Sequence, residues 1–535
     1  MTLRSTLRYE PVELQFGTSG RRGKVADLTQ LEVYLNAAAE LEYLQSLDRS
    51  RGGIVRGDEF FFARDLRPSS DRFVPEQEGR GEIAQTIVTA IAGAGMRPVN
   101  MGCIPTPALA CYAMARGRGS MMVTGSHIPF DRNGYKTNSS TGELRKDQEA
   151  PINDRVAQIR ARLYGQSADE SPFNGRGEFK TGHRDLPPER TEAYAAWIAR
   201  FTDFFPGVPF RGKRLLVFQH SAVGRDLLVD LLQRMGAEVI PAGRSDTFVP
   251  IDTENIGAAQ LSAIQSLADN AAAQHGPLDA VVSTDGDSDR PLIVAVNPAT
   301  GKARFLGGDL VGMVVAEYLN ADAVVVPITC NDAVDRGNLA RVLEPKTRIG
   351  SPFVIAGMEA ARARGRRRVC GWEPNGGFLT GSDIERDGAL LRALPTRDAF
   401  LPILAVLMSS AESGPRLQDL FARLPNRYSG AGLLPNCPRA VGLKVVEFLS
   451  SADRARVAEF FPAAAGFGAI SGMDFTDGVR ILFDNGDVVH VRPSGNADEL
   501  RIYAVADSQS RADAIVAIGV AEPHGLLRQL EKAVA

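Results

Sequence analysis

Three short apolar runs, each breaking into a polar loop, limit what this chain can fold into more than any other feature. Met121-Met122-Val123 ends at Gly125 in a loop carrying Ser126 and His127. Leu215–Phe218 runs into His220 and Ser221, and Ala323–Val326 into Thr329–Asp332 with Asn331 at its centre. A buried strand that opens into a polar loop is the repeating unit of α/β folds, where a rigid sheet presents side chains at strand ends. Its recurrence predicts a tandem of related α/β units, with the Ser126 loop exposed. Helical signals lie between the runs. Ile83, Ile87 and Ile91 recur at four-residue spacing and predict an amphipathic helix ending near Gly93 and Gly95. Asp226 to Met235, followed by Gly236, reads as a second helix, and Leu261, Ile264 and Leu267 as a third. Ala280–Val282 reads as a strand leading into Asp285. Gly478–Phe483 and Gly486–Val491 alternate around an Asp-Asn-Gly turn and predict a hairpin, followed by a C-terminal helix. Gly165 to Arg190 is polar and without period, the pattern of an extended surface loop or linker.

At 535 residues the chain is long enough for three or four domains. Its 44% hydrophobic and 23% charged residues are the balance of a soluble globular protein. A net charge of -3 offers no general field for nucleic acid or an anionic membrane, so bound phosphate must be held by local arginines and lysines. The five cysteines contain no CxxC pair, which disfavours a zinc site or a disulfide framework and fits a reducing compartment. Met1–Glu10 has no apolar core segment, so no signal peptide is expected, and Phe400–Met408 is too short to span a bilayer. The expected setting is cytoplasmic.

Several stretches carry chemistry. Phe16–Gly23 places glycines and hydroxyls beside Arg21 and Arg22, a combination able to cradle a phosphate or simply to make a turn. Arg64, Asp65 and Arg67 read as a structural ion-pair network. Asp285, Asp287 and Asp289 stand at i, i+2 and i+4; on an extended backbone such side chains share a face, and three converging carboxylates call for a hard cation. An EF-hand is excluded because its sixth position would be Arg290 and its twelfth Val296. A solvated acidic turn is the plain alternative. Gly371–Gly377 offers Glu373 and Asn375, able to hydrogen-bond sugar hydroxyls or to form a turn. Arg492, Ser494, Gly495, Asn496 and Arg501 can surround phosphate oxygens. An unassisted serine is a poor nucleophile, and no Ser-His-Asp ordering is evident around Ser126.

Taken together and in this order, these stretches resemble the α-D-phosphohexomutases, the phosphomannomutase and phosphoglucomutase family, over nearly the whole chain. The resemblance implies three related α/β domains with mixed sheets and a smaller C-terminal α+β domain around a central cleft. The boundaries it suggests are 1–187, 188–303, 304–424 and 425–535. It implies an isomerase that moves a phosphoryl group between the 1- and 6-positions of mannose or glucose phosphate, through a phosphoserine and a bisphosphorylated intermediate. In that reading Ser126 is phosphorylated, and magnesium is bound by Asp285, Asp287, Asp289 and the Ser126 phosphate. Arg290 neighbours that phosphate, Lys136 carries acid–base work with Arg22 the weaker candidate, and His127 orients the loop. Glu373 and Asn375 contact the hexose, and Arg492, Ser494, Gly495, Asn496 and Arg501 hold the far phosphate. A bisphosphorylated hexose is the implied activator; hexose phosphates are the implied partners, without nucleic acid or membrane, for a monomer or dimer. Departures from the family pattern are Gly125 and Ile128 where relatives carry Ala and Asn, Asn375 in place of serine, and Asn496-Ala497 in place of Thr-Glu. Ser351 and Pro352 stand where a basic residue is usual. The alternatives are a phosphoglucosamine or N-acetylglucosamine-phosphate mutase, a sugar phosphatase, and a non-catalytic sugar-phosphate-binding protein.

Overall fold

A computed structural model describes residues 1–254, 256–413, 416–494 and 498–534. The chain forms two compact units: Met1–Gly308 with Asn375–Leu417, and Asp309–Pro374 with Gln418–Ala535.

The first unit opens with a mixed sheet. Its strands lie in the order Arg21–Lys24, Arg132–Ser139, Ser120–Val123, Glu59–Arg64, Arg97–Asn100. Glu59–Arg64 runs parallel to both of its neighbours, while Arg132–Ser139 is antiparallel to both of its own. Parallel central strands buried on both faces need continuous apolar runs, and Phe60, Phe61, Phe62, Met121, Met122 and Val123 supply them. Register pairs Met122 with Lys136 and Arg22 with Gly134, so Lys136 sits on the strand next to the one that ends before Ser126, and Arg22 one strand further out. The four-residue isoleucine spacing gives a helix over Ile83–Gly93 with all three isoleucines buried.

Residues 166–191 form no helix or strand and are exposed over 181–185, as an extended surface loop predicts, but the segment is docked and not a free linker. Phe173 and Phe179 are buried, their rings stacked 4.8 Å apart with Tyr34 edge-on to both. Leu31 N–H donates to Gly177 O at 2.8 Å, and Phe179 N–H to Gln30 Oε1 at 2.8 Å. Two aromatic anchors thus dock the segment on the Gln30–Gln45 helix, and an average over a polar window conceals them.

A second mixed sheet follows, ordered Glu238–Arg244, Arg214–His220, Ala280–Thr284, Pro291–Val296, Ala303–Leu306. The first three strands are parallel and the last two antiparallel, so Asp285–Arg290 is the tip of a hairpin whose last pair is Thr284 with Pro291. After residue 375 the unit gains an antiparallel pair, Phe378–Thr380 with Leu394–Asp398. The helix Phe400–Ser413 then starts under an Asp398 cap on Phe400 N–H at 2.7 Å.

In the second unit Ala323–Val325 and Val369–Trp372 pair in parallel beside the Ser351–Ala363 helix. The C-terminal sheet has five antiparallel strands, ordered Tyr428–Pro435, Glu499–Ala506, Val488–Pro493, Val479–Phe483, Ile470–Asp474. Its central hairpin turns at Gly486, whose φ of +87° is the left-handed value such a turn needs. No described helix is long and apolar enough to cross a membrane.

Candidate active site

Ser126 follows the Ser120–Val123 strand in a left-handed conformation, φ +54°, and is buried, not exposed as a strand-end loop suggests. Its backbone is gripped from below. Arg67 donates through NH1 to Pro129 O and Arg132 O, both at 2.8 Å, and through NH2 to Ser126 O at 3.0 Å and Ile128 O. Asp65, 3.3 Å from that guanidinium, accepts from Thr124 Oγ1 at 2.8 Å and Ser70 Oγ at 2.8 Å. The loop is therefore held through carbonyl oxygens, and the side chain at Ile128 is not part of the grip. A Cβ at residue 125 would come within 2.6 Å of Arg67 Cζ, so Gly125 is what lets the guanidinium reach under the loop.

Ser126 Oγ donates to Asp285 Oδ2 at 2.7 Å, joining the serine loop to the hairpin tip. The three aspartates converge, but not because the backbone is extended. The segment turns, with Ser288 at φ +59° and Asp285 N–H donating to Arg290 O at 3.0 Å. Asp285 Oδ1 accepts the amides of Asp289 and Arg290 at 3.1 and 3.2 Å. Asp287 Oδ2 accepts from Thr106 Oγ1 and Lys136 Nζ, each at 2.6 Å. Asp289 Oδ2 accepts from Lys136 Nζ at 2.6 Å and from Arg397 Nε and NH2 at 3.1 and 3.0 Å.

Electrostatics divides the triad. Burial, then the charges of Asp287 and Asp289, hold the Asp285 carboxyl well above the usual carboxylate range. Burial would raise Asp289 too, but Arg397, Lys136 and Arg290 bring it far below that range. His127 is kept neutral by burial and by the like charges of Arg290 and Arg22, and its Nδ1 accepts from Arg290 NH1 at 2.8 Å. Burial and Arg290 also lower the Arg22 guanidinium to about 10.

The donor set fits a hard divalent cation. The ligand atoms of Asp285, Asp287 and Asp289 lie within 4.8 Å of one another, all three residues are buried, and Asp287 Oδ1 and Asp289 Oδ1 have no hydrogen-bond partner. Buried carboxylate oxygens without donors are costly unless a cation meets them.

The remaining sequence candidates are placed as follows. Asn375, buried in the first unit, turns its Oδ1 onto Gly377 N–H at 3.0 Å, while Thr253 Oγ1 donates to its backbone oxygen at 2.8 Å. Glu373 is buried in the second unit, just after the Val369–Trp372 strand. Arg492 and Arg501 are direct cross-strand partners in the C-terminal sheet, with Arg492 Nε 3.6 Å from Asp477 and Arg501 NH2 2.9 Å from Glu499. Ser494 N–H donates to Glu499 O at 2.8 Å. Gly495 and Asn496 lie outside the described residues. Thr106 and Arg397 escape sequence reasoning. Thr106 opens the Thr106–Met114 helix between two prolines, and Arg397 is 108 residues from the carboxylate it clamps, with no local pattern to announce the pairing.

A buried serine hydrogen-bonded into an acidic triad that could hold a cation, ringed by arginines and a lysine, is the donor set that metal-assisted phosphoryl transfer uses. The chain matches phosphoglucomutase/phosphomannomutase alpha/beta/alpha domain I over residues 13–163, domain III over 307–428 and the C-terminal domain over 449–519. It is 40% identical to a phosphomannomutase of Sinorhizobium fredii, covering 95% of this chain and 98% of that one. It is 36% identical to a phosphomannomutase of Salmonella muenchen, covering 94% of each. Among solved structures it is similar in fold to an Aspergillus fumigatus N-acetylphosphoglucosamine mutase in complex with GlcNAc-6P and magnesium. That likeness has a TM-score of 0.55 at 16% identity, over 99% of this chain and 98% of that one. The chain belongs to the phosphoglucomutase/phosphomannomutase family, the α-D-phosphohexomutases, and is an isomerase of the phosphohexomutase kind.

Proposed function

We propose that this protein moves a phosphoryl group between the 1- and 6-positions of mannose phosphate, and of glucose phosphate, through phosphorylated Ser126 and a bisphosphorylated sugar. The observation that carries the reading is the bond from Ser126 Oγ to Asp285, inside a buried triad that keeps two further oxygens out of any hydrogen bond. Magnesium held by Asp285, Asp287, Asp289 and an oxygen of phosphorylated Ser126 would supply Lewis-acid neutralisation of the phosphate charge. Arg290, oriented by neutral His127, adds a fixed positive charge beside the serine. Lys136 Nζ, hydrogen-bonded to Asp287 and Asp289, carries the acid–base work: as the base it takes the proton of the attacking sugar hydroxyl, and in the reverse transfer it returns that proton to the leaving sugar oxygen. Arg22, even at about 10, stays protonated near neutral pH and binds phosphate. Glu373 and Asn375 read ring hydroxyls, and Arg492, Ser494, Gly495, Asn496 and Arg501 hold the far phosphate. The four-part plan of 1–187, 188–303, 304–424 and 425–535 separates these tasks. A bisphosphorylated hexose loads the serine as activator, and a reducing cytoplasm suits the five free cysteines.

The test is radiolabel transfer. Treated with bisphosphorylated hexose labelled in phosphate, the protein should retain label on Ser126 and then convert mannose 1-phosphate to the 6-phosphate. Isomerisation without retained label would overturn the phosphoserine, and release of inorganic phosphate would make the protein a phosphatase. No group placed here reads the 2-position, so kcat/KM for mannose and glucose 1-phosphates should agree within about two orders of magnitude. Turnover of N-acetylglucosamine phosphate with both plain hexoses inert would overturn the sugar assignment.

A further inference from the structure

The geometry points to Arg397 as a positioning residue that sets the ion selectivity of the acidic triad, holding Asp289 to one available oxygen and so favouring a small six-coordinate cation over a larger one. This rests on the cation-site reading above. Magnesium demands near-octahedral geometry at short distances, whereas calcium accepts six to eight oxygens and is often met by both oxygens of one carboxylate. Here each carboxylate has one oxygen already engaged. Backbone amides occupy Asp285 Oδ1, Thr106 and Lys136 occupy Asp287 Oδ2, and Lys136 and Arg397 occupy Asp289 Oδ2. Asp287 and Asp289 each keep one oxygen, Oδ1, without a hydrogen bond, whereas Asp285 Oδ2 is met by the Ser126 hydroxyl.

Of the groups that impose this on Asp289, Lys136 divides its hydrogen bonds between two carboxylates. Arg397 is different. Its guanidinium keeps its charge, it is buried, and it meets Oδ2 with two N–H groups at once. Its stem is wedged as well: a Cβ at residue 377 would lie 2.6 Å from Arg397 Cδ and 2.8 Å from its Cγ. Gly377 is in turn fixed by Asn375, whose backbone oxygen Thr253 holds. The end of the Glu373–Gly377 stretch therefore braces the clamp on the third aspartate.

The experiment measures Mg2+ and Ca2+ affinities of the full-length dephosphorylated protein by calorimetry, for wild type, Arg397→Met, Arg397→Lys and Gly377→Ala. In Arg397→Met, Mg2+ affinity is expected to fall about 10- to 100-fold while Ca2+ affinity holds, moving the ratio by the same factor. Gly377→Ala, which changes no charge, should move the ratio in the same direction, and Arg397→Lys should fall between. Loss of a positive charge strengthens attraction for both ions, and general loosening weakens both, so neither moves the ratio. Should Arg397→Met fail to fold, Gly377→Ala decides. An unchanged ratio in a folded variant overturns the role of Arg397 and leaves the cation site standing, whereas a wild-type protein that binds neither ion overturns the cation site itself.

Discussion

In the Ser126 centre each buried carboxylate is already met by a cation or by amides, whereas in the C-terminal sheet Arg492 and Arg501 stand directly opposite each other on adjacent strands. Carboxylates in the first region are met by protein cations on one oxygen, while Asp287 Oδ1 and Asp289 Oδ1 have no hydrogen-bond partner. Opposed arginines in the second are a cross-strand pair of like charge, each beside a carboxylate of its own, Asp477 and Glu499. Under the proposed function the first is a preorganised reaction centre, with serine, acid triad and Arg67 cradle fixed in advance. The second, in the same proposal, captures the far phosphate. Damage to the first should abolish chemistry, and damage to the second should weaken capture.

The largest effect expected is that of Ser126→Ala, which should lower kcat by about 10^4-fold or more and abolish label retention. Activity near wild type would erase the contrast between the two regions. Next is Arg67→Ala, which leaves Asp65 buried without its cation and the loop carbonyls without donors. It should destabilise the protein by about 3–5 kcal/mol, read by denaturant unfolding. Unchanged stability would mean the cradle is not what fixes the loop. Arg501→Ala should lower kcat/KM about 10- to 150-fold, the loss of a charge-assisted contact of roughly 1.5–3 kcal/mol, while Ser126 still takes up label. An equal loss of labelling would show that the two regions do not divide the work.

The last prediction concerns pH and leaves the chemistry untouched. His490, in the C-terminal sheet, is buried against Asp477 O, and burial lowers its pKa from 6.5 to about 4. Below pH 6.5 the unfolded chain takes up a proton that the folded state refuses until about 4. Stability from this group is thus present above 6.5 and falls by about 1.4 kcal/mol per pH unit down to the folded value. His490→Gln should flatten that part of the acid limb; an identical slope would place the sensitivity elsewhere.

Much of this was legible in the residues. Isoleucine spacing gave the Ile83–Gly93 helix, apolar runs gave the central strands, and the aspartate spacing marked the cation site. The reason offered for that convergence was wrong, because a turn with Ser288 at positive φ gathers the carboxylates, and backbone conformation of that kind leaves no mark on a non-glycine residue. Composition hid the docking of Phe173 and Phe179. The Arg67 cradle shows only as a nearby Arg-Asp pair, since its partners are carbonyl oxygens that any sequence supplies.

The clamp on Asp289 also has a history in time. Arg397 leaves the ribosome 108 residues after its partner, roughly 5–20 s later at common rates of synthesis. Throughout that interval the only cations available to the acidic tip are ones already made, Lys136 and Arg290 among them, without the Arg397 guanidinium. The first unit therefore cannot finish folding in the order it is made. Its closing strand arrives after Asp309–Pro374 has been synthesised, so a chain ending before residue 397 lacks the guanidinium that meets Asp289.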